Sequence, residues 1–441
     1  MGMNKIAAAP LLSIVIPTRN RSVYAASALR AILRMASGDF ELIVQDNSDD
    51  QELASQLAEF HGDARLRYAR NPQRTSAVEN FNDALAKARG QYVTMLGDDD
   101  GINPELLQAT AWARSQELDS LISSRPAQYW WPDVRFRCYG DQAAGTLDLT
   151  EFSGRLSYPD AAEQLQRVVC DAAWNLGELP RTYYGIVRRE CLDQLRADAG
   201  AYCRVSPDMS MAVGLANYVR RMANLDYPLF LPGSSAKSTA GLGAMGRHVG
   251  RLEDQPHLPE ACLREWSDVV PRLFSGNSIW AEACVQTLQA TGREDMLREF
   301  NVALLHARCL AFHPDWSRLV LRSYHRALQV TGQSWAWGTA RLISGYCGTW
   351  WRRARSLAAN LTKSSRLSNT RTFSDLADIE AAGEKLQSLL HDEGWSLAAV
   401  LAGVSPRQNS ATLRKHPPQS ILTLTRQRDA VTNTARGSCS P

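Results

Sequence analysis

Three adjacent carboxylates, Asp98, Asp99 and Asp100, form the most chemically suggestive cluster of the chain. Their charges repel one another unless a cation or protons neutralise them. Oxygen ligands suit Mg²⁺ and Mn²⁺, and Mg²⁺ is usually held by one or two carboxylates together with substrate phosphates. The triplet therefore indicates a divalent-metal site that binds a diphosphate. The alternative is a solvated turn that caps the following helix.

Polar residues also follow another apolar segment of strand length. Residues 12–17 (LSIVIP) lead into Thr18, Arg19 and Asn20. Arg19 and Asn20 suit contacts with a nucleotide base or a diphosphate. They equally suit hydrogen bonds to carbonyl groups of their own loop.

A third polar cluster begins at Asp46, which closes the apolar segment 41–46 (ELIVQD). A carboxylate at this place can accept the imide hydrogen of a uracil or thymine ring. The alternative is a cap for the next helix, a role for which Asp49 and Asp50 are better placed. Asp46 is therefore predicted to contact a ligand.

The elements that position these clusters alternate between strand-like and helix-like segments over the first hundred residues. Helices are predicted over residues 22–35, 52–60 and 76–89, the last with a capping box of Ser76 and Glu79. Such alternation predicts an α/β fold with a doubly wound, mostly parallel sheet. Ligands bind beyond the carboxyl ends of the strands of such sheets, where the three clusters fall.

Overall composition excludes several classes of protein. The 441 residues contain 49 Lys and Arg against 46 Asp and Glu, a net charge of +3, so no nucleic-acid partner is predicted. Nine cysteines without a CxxC pair favour reduced thiols and a cytoplasmic setting. No apolar run reaches 18 residues and the N-terminus does not resemble a signal peptide, so any membrane contact is expected to be peripheral, at the inner face.

Three stretches of the chain resemble glycosyltransferase family 2, whose members have the GT-A fold. They read SIVIPTRNR, ELIVQDNSDD and SAVENFNDALAKARGQYVTMLGDDDGINPELL, and the similarity is continuous over about residues 12–107. The resemblance implies an inverting transferase that uses a nucleotide-diphospho-sugar and a divalent metal, Mg or Mn. A UDP- or dTDP-type donor and a glycan or glycolipid acceptor are expected, in polysaccharide or glycoconjugate synthesis.

The resemblance also implies roles for individual residues. The residues expected to bind the nucleotide-sugar are Pro17, Thr18, Arg19, Asn20, Asp46, Asn47, Asn80, Asn82 and Asp98, with Asp98 at the ribose. Asp99 and Asp100, which follow Asp98 directly, are the expected metal ligands. Many members read Leu-Asp-x-Asp-Asp at this point, whereas Gly97 here replaces the first acid, so the division of roles within the triplet stays open.

Two residues beyond the triplet complete the expected site. Asp208 opens a helix after Ser206-Pro207, where the family places its catalytic base; the alternative is an ordinary helix-start carboxylate, favoured by the helix dipole. His248 follows a loop rich in Gly and Ser. A histidine there completes the metal site of some GT-A enzymes, and the alternative is a structural histidine.

The predicted mechanism is a single displacement in which Asp208 removes the proton of the acceptor hydroxyl. A non-catalytic nucleotide- or carbohydrate-binding protein with the GT-A fold is the alternative, and the Gly97 departure favours it. We predict a GT-A catalytic domain over residues 1–250, an α-helical C-terminal region over 251–405 and a disordered tail over 406–441. Residues 349–355 (TWWRRAR) suit an anionic membrane surface, although tryptophans packed inward are the favoured interpretation.

Overall fold

The structure is a computed structural model of the chain. It describes residues 9–403 apart from 36–37, 72, 125, 137–142, 239–240, 242–248, 255–257 and 364–369. His248 and the predicted tail, residues 406–441, therefore lie outside the described residues.

Fourteen strands are present in the described residues. They are β1 Leu12–Thr18, β2 Phe40–Asp46, β3 Leu66–Arg70, β4 Tyr92–Met95, β5 Gly101–Ile102, β6 Ser120–Ser123, β7 Ala127–Trp130, β8 Thr146–Thr150, β9 Leu156–Ser157, β10 Gly185–Arg188, β11 Met222–Leu225, β12 Phe230–Leu231, β13 Gly233–Ser234 and β14 Thr370–Phe373. Eight of them form the main sheet, in the order β3-β2-β1-β4-β10-β6-β11-β9. β9 and β10 run against the direction of the other six.

The helices cover both faces of this sheet. They are α1 Ser22–Leu33, α2 Glu52–Gln56, α3 Ala77–Leu85, α4 Leu106–Ser115, α5 Ala161–Cys170, α6 Arg189–Ala199, α7 Pro207–Leu215, α8 Glu260–Arg264, α9 Gly276–Ala290, α10 Glu294–Glu299, α11 Val302–Phe312, α12 Ser317–Thr331, α13 Trp335–Lys363, α14 Ile379–Asp392 and α15 Leu397–Leu401. The predicted α/β fold, with a mostly parallel sheet followed by a mainly helical C-terminal region, is confirmed.

The strands β1 and β2 of the main sheet are rich in apolar residues, which explains their burial. All seven residues of β1 and all seven of β2 are buried, as expected where helices cover both faces. The two strands are parallel and in register, so Thr18 lies beside Asp46 at their carboxyl ends. The predicted capping box also forms, since Ser76 and Glu79 exchange hydrogen bonds at the start of α3. These local signals bring the polar clusters to one edge of the sheet.

Two hydrophobic cores lie on opposite faces of the sheet, because successive side chains of a strand alternate in direction. Val15 of β1 joins one core with α7, α9 and α11. Ile14 and Ile16 join the other core with α1, α4 and α14. The helical region that follows residue 258 therefore shares a continuous core with α7.

The last described segment returns to the first domain. β14 pairs with β8 in a four-stranded sheet of order β13-β7-β8-β14, and Glu380 of α14 forms an ion pair with Arg34. Ile379 and Leu386 are buried in the core that contains β1. The domain boundaries remain predictions, but residues 370–401 are not part of a purely helical region.

Trp350 and Trp351 differ from the favoured sequence interpretation. Trp351 is 66% exposed and Trp350 is 40% exposed, so inward packing is wrong for Trp351 and incomplete for Trp350.

Among the described residues, no helix is both long enough and apolar enough to cross a membrane.

Candidate active site

The end of β1 and the loop after β4 are joined by a buried hydrogen bond. Thr18 Oγ1 donates to Asp98 Oδ2 over 2.5 Å. Asp98, Asp99 and Asp100 are all buried, with exposed fractions of 3%, 4% and 1%. The triplet is therefore not a solvated turn, and its charge must be balanced inside the protein.

Arg21 supplies that balance for the first two carboxylates. Its Nη1 lies 3.2 Å from Asp98 Oδ1, and its Nη2 lies 2.7 Å from Asp99 Oδ2. Burial alone lowers the pKa of Arg21, but the Asp98 and Asp99 carboxylates outweigh burial and raise it above its ordinary value. Even so, burial together with the Asp99 charge raises the pKa of Asp98 to about 6. Arg21 follows the predicted cluster directly, but its role was not predicted from the sequence.

Asp99 is also held by the segment after β13. The Ser235 backbone N and Oγ donate to Asp99 Oδ2 over 3.0 and 2.7 Å, and Arg21 Nη2 donates to Ser235 Oγ over 2.6 Å. Trp131 Nε1 donates to the Asp99 carbonyl oxygen over 3.0 Å. Two distant parts of the chain thus hold the Asp99 carboxylate, and a third, at Trp131, holds its backbone.

Asp100 points into the protein instead of toward a ligand. Gly97 N donates to its Oδ2 and Gly233 N to its Oδ1, each over 2.7 Å, and Tyr184 Oη lies 2.9 Å from Oδ1. Burial and the neighbouring Asp99 raise the pKa of Asp100 to about 7. Both oxygens of Asp100 already accept hydrogen bonds, so metal binding by Asp100 would require some of these bonds to break, and this role stays a prediction.

Gly97 occupies a position with no room for a side chain. A Cβ added there would lie 2.8 Å from both Asp100 Oδ2 and Tyr183 Oη. An acid at this position would therefore require the Asp100 or Tyr183 side chain to shift. Tyr183 and Asp100 fill the space in which the usual acid would begin.

A divalent cation fits the site only if Arg21 moves. Within the described ranges, no group of three or more His, Cys, Asp and Glu side chains is arranged to hold a metal ion. Asp98 and Asp99 nevertheless converge on one positive group, the guanidinium, and offer the oxygen ligands that Mg²⁺ and Mn²⁺ prefer. His248, the third expected ligand, lies outside the described residues.

Asp46 is not presented to a ligand. It is fully buried, and its oxygens accept hydrogen bonds from Ser48 N over 2.8 Å and Tyr68 Oη over 2.6 Å. A base could therefore reach Asp46 only after Tyr68 moves, and the contact with a pyrimidine stays a prediction. The alternative helix cap belongs to Asp50, whose Oδ1 accepts from Glu52 N over 3.0 Å.

Arg19 and Asn20 tie two loops together. Asn20 has a left-handed φ of 53°, and its side-chain amide exchanges hydrogen bonds of 2.7 and 2.9 Å with Asp49. Arg19 lies 3.6 Å from the same Asp49, with 29% of its side chain exposed. Asn20 thus joins its loop to the loop after β2, while Arg19 remains accessible to an anion. Pro17 is buried in β1 beside Gln45.

The remaining predicted asparagines position backbone. Asn47 bonds to the backbone of Thr75, and Asn80 Nδ2 donates to the carbonyls of Thr18 and Gln45 over 3.3 Å each. Asn82 contributes four hydrogen bonds to backbone atoms, three of them to Tyr202 and Cys203. Since Cys203 lies shortly before Asp208, Asn82 links the nucleotide-side helix α3 to the segment that carries Asp208.

Asp208 is partly exposed at the start of α7. Its Oδ1 accepts hydrogen bonds from Ser206 Oγ and, over 2.8 Å, from Met209 N, which fixes the carboxylate. Tyr183 lies among Asp208 and the triplet: burial and these carboxylates together raise its pKa well above the ordinary value.

Tyr183 and Tyr184 were missed as site residues. They precede β10, which runs antiparallel to β4. The residues that precede an antiparallel strand lie at the same edge as the carboxyl ends of its parallel neighbours. Both tyrosines open the segment 183–188 (YYGIVR), which has the pattern of a strand. They can be assigned to the site only when the direction of that strand is known.

We expect Gly233→Ala to disturb the triplet. A Cβ at this position would lie 1.7 Å from the Asp99 carbonyl oxygen, so the backbone of the loop must shift. Overpacking of this kind costs roughly 1–3 kcal/mol of the free energy of unfolding. Thermal unfolding should show the loss. Gly383→Ala is the matched control, because nothing lies within 4 Å of its added Cβ; an equal loss in both variants would contradict the loop argument.

Comparison with known proteins places this site in context. Residues 13–140 match the family model described as glycosyl transferase family 2. The chain is 34% identical over 110 residues to a putative colanic acid biosynthesis glycosyl transferase of Escherichia coli K12, covering 25% of this chain and 39% of that protein. It is 33% identical over 93 residues to the GalNAc(5)-diNAcBac-PP-undecaprenol beta-1,3-glucosyltransferase of Campylobacter jejuni, covering 21% and 30%. The chain thus spans less than half the length of either relative.

Solved structures also resemble the chain. The structure of S. aureus TarS 1–349 in complex with UDP-GlcNAc is 18% identical, with a TM-score of 0.39, and the match covers 74% of this chain and 93% of that chain.

Proposed function

We propose that the chain transfers a sugar from a nucleotide-diphospho-sugar to a hydroxyl of a glycan or glycolipid, because residues 13–140 match the model of glycosyl transferase family 2. The proposed setting is polysaccharide or glycoconjugate synthesis. One observation carries the proposal: the buried carboxylates Asp98 and Asp99 converge on a positive group at the carboxyl edge of the sheet.

The donor side of the proposed site is formed by Asp98, Asp99 and the two arginines of the β1 loop. Asp98 and Asp99 would hold Mg²⁺ or Mn²⁺ once Arg21 is displaced. Such an ion, when bound, neutralises the charge of a leaving diphosphate. Arg21, released from the carboxylates, and Arg19, which is already accessible, supply further positive charge for phosphate oxygens.

The acceptor side of the proposed site is Asp208. In an inverting single displacement, the acceptor oxygen bonds to the anomeric carbon as the bond from that carbon to the diphosphate oxygen breaks. The proton of the acceptor hydroxyl passes to Asp208. The hydrogen bonds from Ser206 and Met209 to Oδ1 orient the carboxylate, which supports this role.

The surroundings of the reaction are also part of the proposal. A UDP- or dTDP-type donor is retained from the family resemblance, although Asp46 in its buried position does not support it. Seven described cysteines are free, which favours a reducing, cytoplasmic compartment. Peripheral contact with the membrane and the absence of a nucleic-acid partner complete the proposal.

A donor panel tests the function. UDP-, dTDP- and GDP-sugars should be compared by thermal unfolding, with and without Mn²⁺. A donor at a hundred times its dissociation constant stabilises the folded state by about 2.7 kcal/mol, and we expect this only for the true donor with Mn²⁺. Release of nucleoside diphosphate should accompany it. Stabilisation without any release, with acceptor mixtures present, would favour the non-catalytic binding protein. A chain that no nucleotide-sugar stabilises would overturn the proposal.

A further inference from the structure

Exposed apolar side chains are concentrated on two consecutive helices. Of the eleven large hydrophobic side chains that are exposed in the described residues, eight belong to α12 and α13, and the other three are Val23, Tyr158 and Val249. Four of the eight are tryptophans. Scattered exposed residues need no explanation, but a contiguous apolar patch marks an interaction surface.

The patch on α13 forms one face of the helix. We call Trp337, Ile343, Trp350 and Trp351 the tryptophan face; their exposed fractions are 64%, 58%, 40% and 66%. Trp337 and Trp351 are 14 residues apart, and Ile343 and Trp350 are seven apart, spacings that keep side chains on one side of a helix. At about 1.5 Å per residue the face is roughly 21 Å long.

The opposite side of α13 is packed against the protein. Leu342, Thr349 and Arg353 are buried, and Arg353 stacks on the Trp350 ring at 4.9 Å and on Phe312 of α11 at 5.6 Å. The tryptophan face is therefore presented outward by a helix that is fixed from behind. No other segment of the described residues covers the tryptophan face, which therefore lies outside the hydrophobic cores.

The charge of these helices has a single sign. Residues 317–363 contain seven arginines and one lysine but no aspartate or glutamate, although the whole chain carries only +3. Arg326 pairs with Asp268 and Arg352 lies 3.7 Å from Asp171, while Arg318, Arg322 and Arg355 are exposed. The exposed charged side chains on the described parts of these two helices are thus all positive.

Tryptophan and arginine together suit the interface of an anionic bilayer. Indole rings prefer the level of the lipid headgroups, and arginine side chains extend to anionic headgroups while their stems cover apolar surface. A second copy of the chain fits less well, because a symmetric contact would oppose two positive surfaces. Nucleic acid would be held by the charges but leaves the aliphatic Ile343 without a favourable contact.

We propose that the tryptophan face docks this protein onto an anionic lipid bilayer, with α13 lying along the headgroup layer. The helix that carries Asp208 belongs to the same rigid packing: α7 contacts α9, α9 contacts α11, and α11 contacts α13. Docking through α13 therefore fixes the orientation of the candidate active site relative to the bilayer. If the proposed function holds, this orientation suits an acceptor carried on a lipid.

Vesicle flotation with the full chain tests the docking. The protein should float with vesicles of equal parts phosphatidylcholine and phosphatidylglycerol, and not with phosphatidylcholine alone. Trp337→Ser combined with Trp351→Ser should reduce the bound fraction roughly tenfold or more, since each change removes a large exposed apolar group. Arg322→Gln combined with Arg355→Gln should weaken binding to the mixed vesicles and reduce its dependence on salt. Tyr158→Ser, an aromatic that is 64% exposed elsewhere, is the control and should bind like the parent.

The outcomes separate docking from catalysis. The tryptophan variants should keep the thermal stabilisation by nucleotide-sugar, because they lie outside the candidate site. Flotation of these variants equal to that of the parent would overturn the docking proposal, as would equal binding to uncharged vesicles. Tryptophan-dependent binding to a DNA or RNA duplex with no vesicle binding would overturn it in favour of nucleic acid. Failure of donor stabilisation alone would leave the flotation result intact and count against the proposed function.

Discussion

Asp208→Asn should lower the rate of sugar transfer by about 10²–10⁴-fold, the usual contribution of a general base. The asparagine keeps an oxygen at the place of Oδ1, which can still accept from Ser206 and Met209, so the start of α7 is preserved. What disappears is the capacity to take the proton of the acceptor hydroxyl. Donor affinity should stay within a few-fold of the parent, because the donor is expected at Asp98 and Asp99.

The measurement combines initial transfer rates with donor titration on the same purified variant. Asp193→Asn is the matched control, since Asp193 is an exposed carboxylate whose ion pair with Arg189 lies within α6. It should leave both quantities unchanged. Turnover of Asp208→Asn within a few-fold of the parent would make Asp208 an ordinary helix-start residue, and another base would have to be found.

Asp99→Ala should abolish the effect of Mn²⁺ on donor binding. Partners beyond the ligand shell of a metal already change affinity by about 10–100-fold, and a direct ligand should contribute at least as much. The same change removes the acceptor of Ser235 and Arg21, so Asp99→Asn is needed as a second variant that keeps an oxygen for Ser235. Mn²⁺ affinity can be followed by electron paramagnetic resonance and donor affinity by calorimetry.

Arg21→Met provides the contrast to the Asp99 variants. It removes the guanidinium that lies between the carboxylates and leaves both ligands in place. We therefore expect Mn²⁺ to bind Arg21→Met more tightly than the parent. If the folded Asp99→Asn protein kept metal-dependent donor affinity equal to that of the parent, the assignment of Asp99 as metal ligand would fail.

The alternation of elements was predictable because it depends on local patterns. The buried runs of β1 and β2 and the capping box of α3 fix where strands end, and parallel strands bring their carboxyl ends to one edge. From this, the neighbourhood of Thr18, Asp46 and Asp98 follows without knowledge of the rest of the chain.

The contacts within the site were less predictable, because they join distant parts of the chain. Arg21 meets Ser235 across 214 positions, and Tyr184 meets Asp100 across 84. Residue type alone does not decide the role of Asn80 and Asn82. An asparagine amide can bind a ligand, but it is equally suited to hydrogen bonds with buried backbone groups. For Trp351, periodicity alone could not show which side of α13 faces the protein.

The pairing of β14 with β8 has a consequence for folding of the chain during translation. Thr150 and Thr370 pair across 220 positions. At about 5–20 residues per second, the free edge of β8 waits roughly 10–40 s for its partner strand to be synthesised. Throughout that interval its backbone amides and carbonyls are open to pairing with another nascent chain. Speed of translation between these strands therefore bears on the yield of correctly folded protein.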